Sequence, residues 1–177
     1  IGVVPHGARP MKISLLVGSL CVALMAAGCG QKEAAPAASA AAPAAKAAAP
    51  AGPRVIEITA NDQMKFSLAT IEAKAGEDLK IVLVNEGSLP KEAMGHNWVL
   101  LKADADPAAF AAAAMTAKDS EYVPASLAGQ VIAKIDLLGP RKSGEVTFKA
   151  PAPGTYVYLC SFPAHFMVGM KGTLVVK

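Results

Sequence analysis

The sequence predicts an all-β domain of sandwich or barrel type with one helical insert, spanning residues 54–177. Three observations predict it. Short runs of β-branched and aromatic residues recur along this stretch. Glycine and proline fall between the runs and break regular structure. One alanine-rich segment departs from the pattern. Short strands at such spacing, divided by turn signals, suit a β-sandwich, and ~125 residues suffice for one domain with a modest core.

Taken in order, Val55–Thr59 is the first run, and Gly76 precedes the second, Leu79–Asn85. Gly87 then separates it from Asn97–Leu101. Asp106-Pro107 opens the helical insert Ala108–Ala117. Aspartate is a good N-cap, proline a good first helical residue, and alanine has the highest helix propensity. Val131–Leu138 is stopped by Gly139-Pro140, and Glu145–Lys149 is followed by Pro153-Gly154. Thr155–Leu159 and Thr173–Val176 complete the set.

The N-terminal third reads differently. Residues 1–10 have no start methionine and no pattern, and read as an upstream extension. Residues 11–28 read as a bacterial secretory signal: Met11-Lys12 is a short basic start, and Ile13 to Ala27 is apolar. The apolar stretch is short for a membrane span, which needs ~20 residues. It ends Leu24-Met25-Ala26-Ala27-Gly28-Cys29, which resembles a lipobox, with Ala26 where leucine is favoured. Cys29 is therefore expected to carry lipid. Gly30 is not the aspartate that retains such proteins at an inner membrane, which favours an outer-membrane anchor facing the periplasm. Ordinary cleavage nearby would leave a soluble periplasmic protein. Residues 29–53 then form an Ala/Pro tether without large apolar side chains to offset the entropy of ordering. Its prolines favour extended polyproline II, at ~3.1 Å per residue.

Charge excludes one class of partner. The chain carries +3, from 17 basic and 14 acidic residues. Arg9 and Lys12 precede Cys29, so the part from Cys29 onward has 15 basic against 14 acidic, about +1. No basic footprint for nucleic acid results.

The chemistry concentrates near the C-terminus, where Cys160, His165 and Met170 follow the order C-x4-H-x4-M. His96 lies upstream in Met94-Gly95-His96-Asn97-Trp98. Of three histidines and three cysteines, His6, Cys21 and Cys29 precede the domain, so the rest belong to this one constellation. A thiolate, two imidazoles and a thioether are the donors of a blue-copper site. The thiolate holds copper in either oxidation state, and the thioether is a weak, soft axial donor. No square-planar set is offered and no position is left open for substrate, which argues against catalysis. Taken singly, each residue has a plainer reading: a small buried hydrophobe, a satisfied polar group, or core packing. Zinc is the rival metal, and the methionine argues against it.

These motifs resemble the azurins over roughly residues 54–177. Met94-Gly95-His96-Asn97-Trp98-Val99-Leu100 is similar to their first ligand strand, and Asn61-Asp62-Gln63-Met64 to their N-terminal signature. Cys160-Ser161-Phe162-Pro163-Ala164-His165 and Met170-Lys171-Gly172-Thr173-Leu174 resemble their ligand loop and last strand. The whole layout resembles a lipid-modified azurin. The resemblance implies a cupredoxin Greek-key β-sandwich with a helical flap. It also implies one type 1 copper held by His96, Cys160 and His165, with Met170 and the Gly95 carbonyl axial. By the same resemblance, electrons leave through His165 across an apolar patch of Leu89, Pro90, Ala93, Met94, Phe162, Pro163, Ala164 and Phe166. The implied partners are redox proteins such as c-type cytochromes or copper and haem reductases and oxidases. Copper delivery or buffering is the alternative function.

Two departures stand out. Four residues (Phe166 to Gly169) separate His165 from Met170 where azurins have three, a spacing closer to auracyanins and rusticyanin. Met167 thereby becomes a competing axial donor. In addition, Arg54 and Glu77 stand where azurins carry a disulfide, so that end is expected to hold by packing alone.

Overall fold

The computed structural model describes residues 52–177. The expected signal, the expected lipidation residue Cys29 and nearly all of the expected tether lie outside the described residues. The expected strands form and arrange in two sheets. Strands β1 (Arg54–Ala60), β2 (Thr70–Ala73), β3 (Asp78–Asn85), β4 (His96–Leu101), β5 (Val131–Leu138), β6 (Ser143–Lys149), β7 (Gly154–Leu159) and β8 (Lys171–Val176) occur in that chain order. The small sheet runs β1-β3-β6, and the large sheet β2-β8-β7-β4-β5. Two pairings are parallel, β1 with β3 and β2 with β8; the remainder are antiparallel.

Alternation builds the core. In β3, Leu79, Ile81 and Leu83 point inward, while Lys80, Val82 and Val84 are half-buried. They meet Ile56 and Ile58 of β1, and Trp98, Leu100, Tyr158 and Leu174 of the large sheet. Trp98 lies 5.4 Å from Tyr158 and 6.1 Å from Phe148, ring centre to ring centre. Unlike its neighbours, β4 is buried on both faces. Val99 and Leu101 face outward and are covered by Phe110, Val123 and Leu159.

Phe110 belongs to the helical insert. Helix α1 (Lys91–Met94) is a single turn, and α2 (Pro107–Ala114) is the expected insert. Asp106 caps α2, its Oδ1 accepting from the amides of Ala108 at 2.8 Å and Ala109 at 3.2 Å. The helix stops three residues short of the expected Ala117, because it has only Phe110 and Ala114 to bury. Packing rather than alanine propensity sets its length. The chain instead tightens, and Ala117 O accepts from the amide of Tyr122 at 2.8 Å.

β2 and α1 were not expected; each is only four residues long. The end facing away from the ligand loops also departs from expectation. It is not held by packing alone. Arg54 Nε donates to Glu77 Oε1 and Arg54 Nη2 to Glu72 O, both at 2.6 Å. Glu77 Oε2 also accepts from the Lys74 amide at 2.9 Å. An ion pair with backbone bonds thus clamps β1, β2 and the turn before β3. Among the described residues no helix is long and apolar enough to cross a membrane.

Candidate metal centre

The donors are brought together by two chain crossings at one end of the large sheet. In the first, Gly95 joins α1 to β4 and is buried. A Cβ there would lie 2.6 Å from Lys91 O and 2.9 Å from Leu137 Cγ. Since its φ is an ordinary −66°, the glycine answers a need for space. His96 follows at once, opposite Leu138 of β5.

The second crossing is the loop from the end of β7 to the start of β8. It folds back on itself through its own backbone. Cys160 N–H donates to Met170 O at 3.1 Å, and Met170 N–H to His165 O at 3.0 Å. His165 N–H donates to Phe162 O at 3.1 Å. Two positive φ angles make the reversal, 69° at Ala164 and 97° at Gly169.

The result is a compact donor cluster. The ligand atoms of His96, Cys160 and His165 lie within 4.8 Å of one another. Cys160 Sγ is 3.4 Å from His165 Nδ1, and the two imidazole centres are 5.0 Å apart. His96, Cys160 and Met170 are fully buried, and His165 is 2% exposed. Met167, the competing donor, is 81% exposed and points away from the protein, leaving Met170 as the thioether of the centre. His165 is the more exposed histidine, as expected, but only its edge reaches solvent.

Electrostatics matches a soft cation. Burial holds both histidines below their ordinary range, His165 at about 4, so both rings are neutral at neutral pH. Neither ring nitrogen of His96 makes a well-formed hydrogen bond, although the Asn61 backbone lies near enough to offset part of the effect of burial. Burial likewise pushes the Cys160 thiol up to about 12. A thiolate forms there only if a positive charge arrives to replace the lost hydration. Neutral buried imidazoles, a buried thiol and a thioether together fit copper.

One side chain ties the two crossings together. Asn97 Nδ2 donates to Ser161 Oγ at 2.8 Å, and Asn97 Oδ1 accepts from the Ser161 amide at 2.8 Å. The residues after each first donor are thereby fixed to one another.

The expected apolar patch is placed unevenly. Leu89 is 43% exposed, Ala164 is exposed, and Met94, Pro163 and Phe166 are half-buried. Phe162 corrects the expectation: it is buried, 4.7 Å from the His165 ring and edge-on to Tyr122 at 5.0 Å. Its ring supports the ligand histidine from inside. Sequence reasoning missed Met167 and Val168, which are 81% and 54% exposed in the same loop. Their place between two donors was the available signal. It also missed Glu121, whose carbonyl accepts from Asn97 Nδ2 at 3.2 Å. No motif marks that residue.

Comparison with known proteins agrees with this geometry. Residues 54–177 match the family model for copper binding proteins of the plastocyanin/azurin family. An azurin of Pseudomonas denitrificans is 41% identical over 127 residues, covering 69% of this chain and 97% of the azurin. Auracyanin-B of Chloroflexus aurantiacus is 38% identical over 118 residues, 66% of this chain. The chain spans about half the length of that relative, 49%. The solved structure of auracyanin A, a "blue" copper protein of the same bacterium, superposes with a TM-score of 0.64 at 35% identity, covering 71% of this chain and all of that one.

Proposed function

The chain belongs to the plastocyanin/azurin family of copper-binding proteins, and on that premise we propose that it carries single electrons between redox partners. When bound, copper supplies a one-electron couple of type 1 character at this centre. His96, Cys160, His165 and Met170 would hold it, with the Gly95 carbonyl as a further proposed contact. The observation that carries the reading is the buried, mutually close set of thiol and imidazole donors.

The chain's own residues supply the rest. Asn97 and Ser161 keep the two donor segments at fixed separation, so the donor set resists rearrangement when charge changes. Phe162, buried against the His165 ring, helps to exclude water there. With at most 2% exposure at any donor side chain, no face is left for a substrate, which supports a carrier rather than an enzyme. The same burial argues against copper delivery, which needs a site open to exchange.

Electrons would leave by the edge of His165, through a docking face of Leu89, Met94, Pro163 and Ala164. Cytochromes of c type, or copper and haem reductases and oxidases, are the proposed partners. A lipid on Cys29 would anchor the domain in a bacterial envelope, facing the periplasm, with residues 29–53 as its tether. Electron self-exchange, read by NMR line broadening in mixed oxidised and reduced protein, tests the carrier reading. It should be fast, and Met94→Lys should slow it by placing a charge at the contact while leaving the visible spectrum intact. Unchanged exchange in Met94→Lys would put the exit on another face. Rapid loss of copper to a chelator would favour delivery.

A further inference from the structure

Outside the donor cluster, Glu121 bonds directly to the His96 segment at Asn97 and reaches the Cys160 segment through that same side chain. Glu121 ends the short 3-10 turn Lys118–Ser120 in a left-handed conformation, φ 54° and ψ 38°. Tyr122 follows with φ 63°. Two successive non-glycine residues in this region are rare, and such backbone persists only where surrounding contacts hold it. Local backbone bonds to Ala117 and Lys118 close the turn, and its remaining contacts run toward the centre. Glu121 Oε2 accepts from the Leu137 amide at 2.9 Å, and Oε1 from Lys91 Nζ at 2.8 Å. Its carbonyl accepts from Asn97 Nδ2, which also donates to Ser161 beside Cys160. Leu137 and the Lys91 carbonyl are the two groups that confine Gly95, the residue before His96. Tyr122 meets Phe162, which in turn meets His165.

We propose that Glu121 is a positioning residue for the metal centre, fixing the Gly95–His96 segment through Leu137 and Lys91, and the Cys160 segment through Asn97. The inference rests on the copper reading above. The Lys91 ion pair is the lesser part, because both side chains are more than a third exposed and such pairs contribute little. The bond to the Leu137 amide and the left-handed carbonyl are the greater part. Lys91 holds the Glu121 carboxyl below its ordinary range, so it is a charged acceptor at neutral pH.

The test compares Glu121→Ala, Glu121→Gln and Lys91→Met with Ile56→Val, a core change outside the donor cluster. Three quantities are read in the full chain: the rate of copper loss to a chelator, the electron paramagnetic resonance spectrum, and, without copper, hydrogen exchange at the Ser161 amide. Losing one hydrogen bond predicts that Glu121→Ala speeds copper loss and Ser161 exchange by about five-fold, with an altered copper hyperfine splitting. Lys91→Met and Ile56→Val should each stay within about two-fold. Glu121→Ala no faster than Ile56→Val, with an unchanged spectrum, would overturn the proposal. Glu121→Gln keeps an oxygen for the Leu137 amide and should match Lys91→Met. Should Glu121→Ala not fold, Glu121→Met, which keeps the bulk and loses the acceptor, carries the test: faster than Lys91→Met supports the proposal, and equality refutes it. A chain that takes up copper without a thiolate band would instead sink the copper reading, and the Ser161 exchange would still judge Glu121.

Discussion

Two methionines three positions apart in the ligand loop divide sharply: Met170 is fully buried and Met167 stands in solvent. Met170→Leu should keep copper and colour but raise the reduction potential, since losing a weak donor disfavours the oxidised metal. Met167→Leu should shift it far less. Voltammetry of both proteins decides between them, and a larger shift in Met167→Leu would reverse the axial assignment. The donors were legible in the sequence because chemistry-bearing residues are rare here. With three histidines and three cysteines in the whole chain, the motifs admitted one grouping. The side on which an aromatic falls was not legible. Phe162 sits between two donors, and either a docking face or a buried support for His165 satisfies the sequence. Burial against Tyr122 selects the second, and that contact depends on a left-handed turn forty residues upstream that no local pattern announces.

Strands reveal themselves where one face is buried and the run is long enough to alternate. β3 and β5 were readable for that reason, with Leu79, Ile81 and Leu83 alternating in β3, and Ala133, Ile135 and Leu137 in β5. β2 offers only Ile71 and Ala73, too few to show a period, and α1 buries no residue at all. At β8, close packing makes a sharper prediction. Tyr158 lies across Gly172 and its hydroxyl donates to Leu68 O at 2.6 Å. A Cβ at position 172 would fall 2.3 Å from the Tyr158 ring. Gly172→Ala should therefore cost ~1–3 kcal/mol through overpacking, read as a lower denaturant midpoint with an unchanged slope. A neutral result would mean that Tyr158 can swing away. The charged clamp at the other end of the sandwich predicts a pH effect. Arg54, first, and the Lys74 amide hold the Glu77 carboxyl below its ordinary value. A depressed carboxylate stabilises the fold above its unfolded pKa, ~4.3, and loses that contribution as pH falls through the folded value. Partial exposure of both side chains limits it to under ~1 kcal/mol. Glu77→Gln should accordingly be less stable than the unaltered chain near neutral pH, with the gap closing below roughly pH 4. A gap independent of pH would assign the clamp to packing.

For the whole molecule, the two sheets form a frame that carries two loops at one end and an ion-pair clamp at the other. The donor end is made rigid before any metal arrives: Gly95 is confined, the ligand loop closes on its own backbone, and Asn97 bridges the two. The proposed membrane anchor lies in the N-terminal residues. Cys29→Ala should release the protein from membranes or stall its processing, checked by fractionation and by mass spectrometry of the N-terminus. The several acyl chains of a bacterial lipoprotein hold firmly where one would not, so an unmodified N-terminus at another residue would refute the anchor. The central claim is that Cys160, His96, His165 and Met170 make a type 1 copper centre. The visible absorption spectrum of the copper-loaded protein, oxidised and then reduced, tests it most directly. An intense thiolate-to-copper band that bleaches on reduction, and that is absent in Cys160→Ser, is the expected result. A colourless copper-loaded protein, or a Cys160→Ser variant that stays blue, would contradict it.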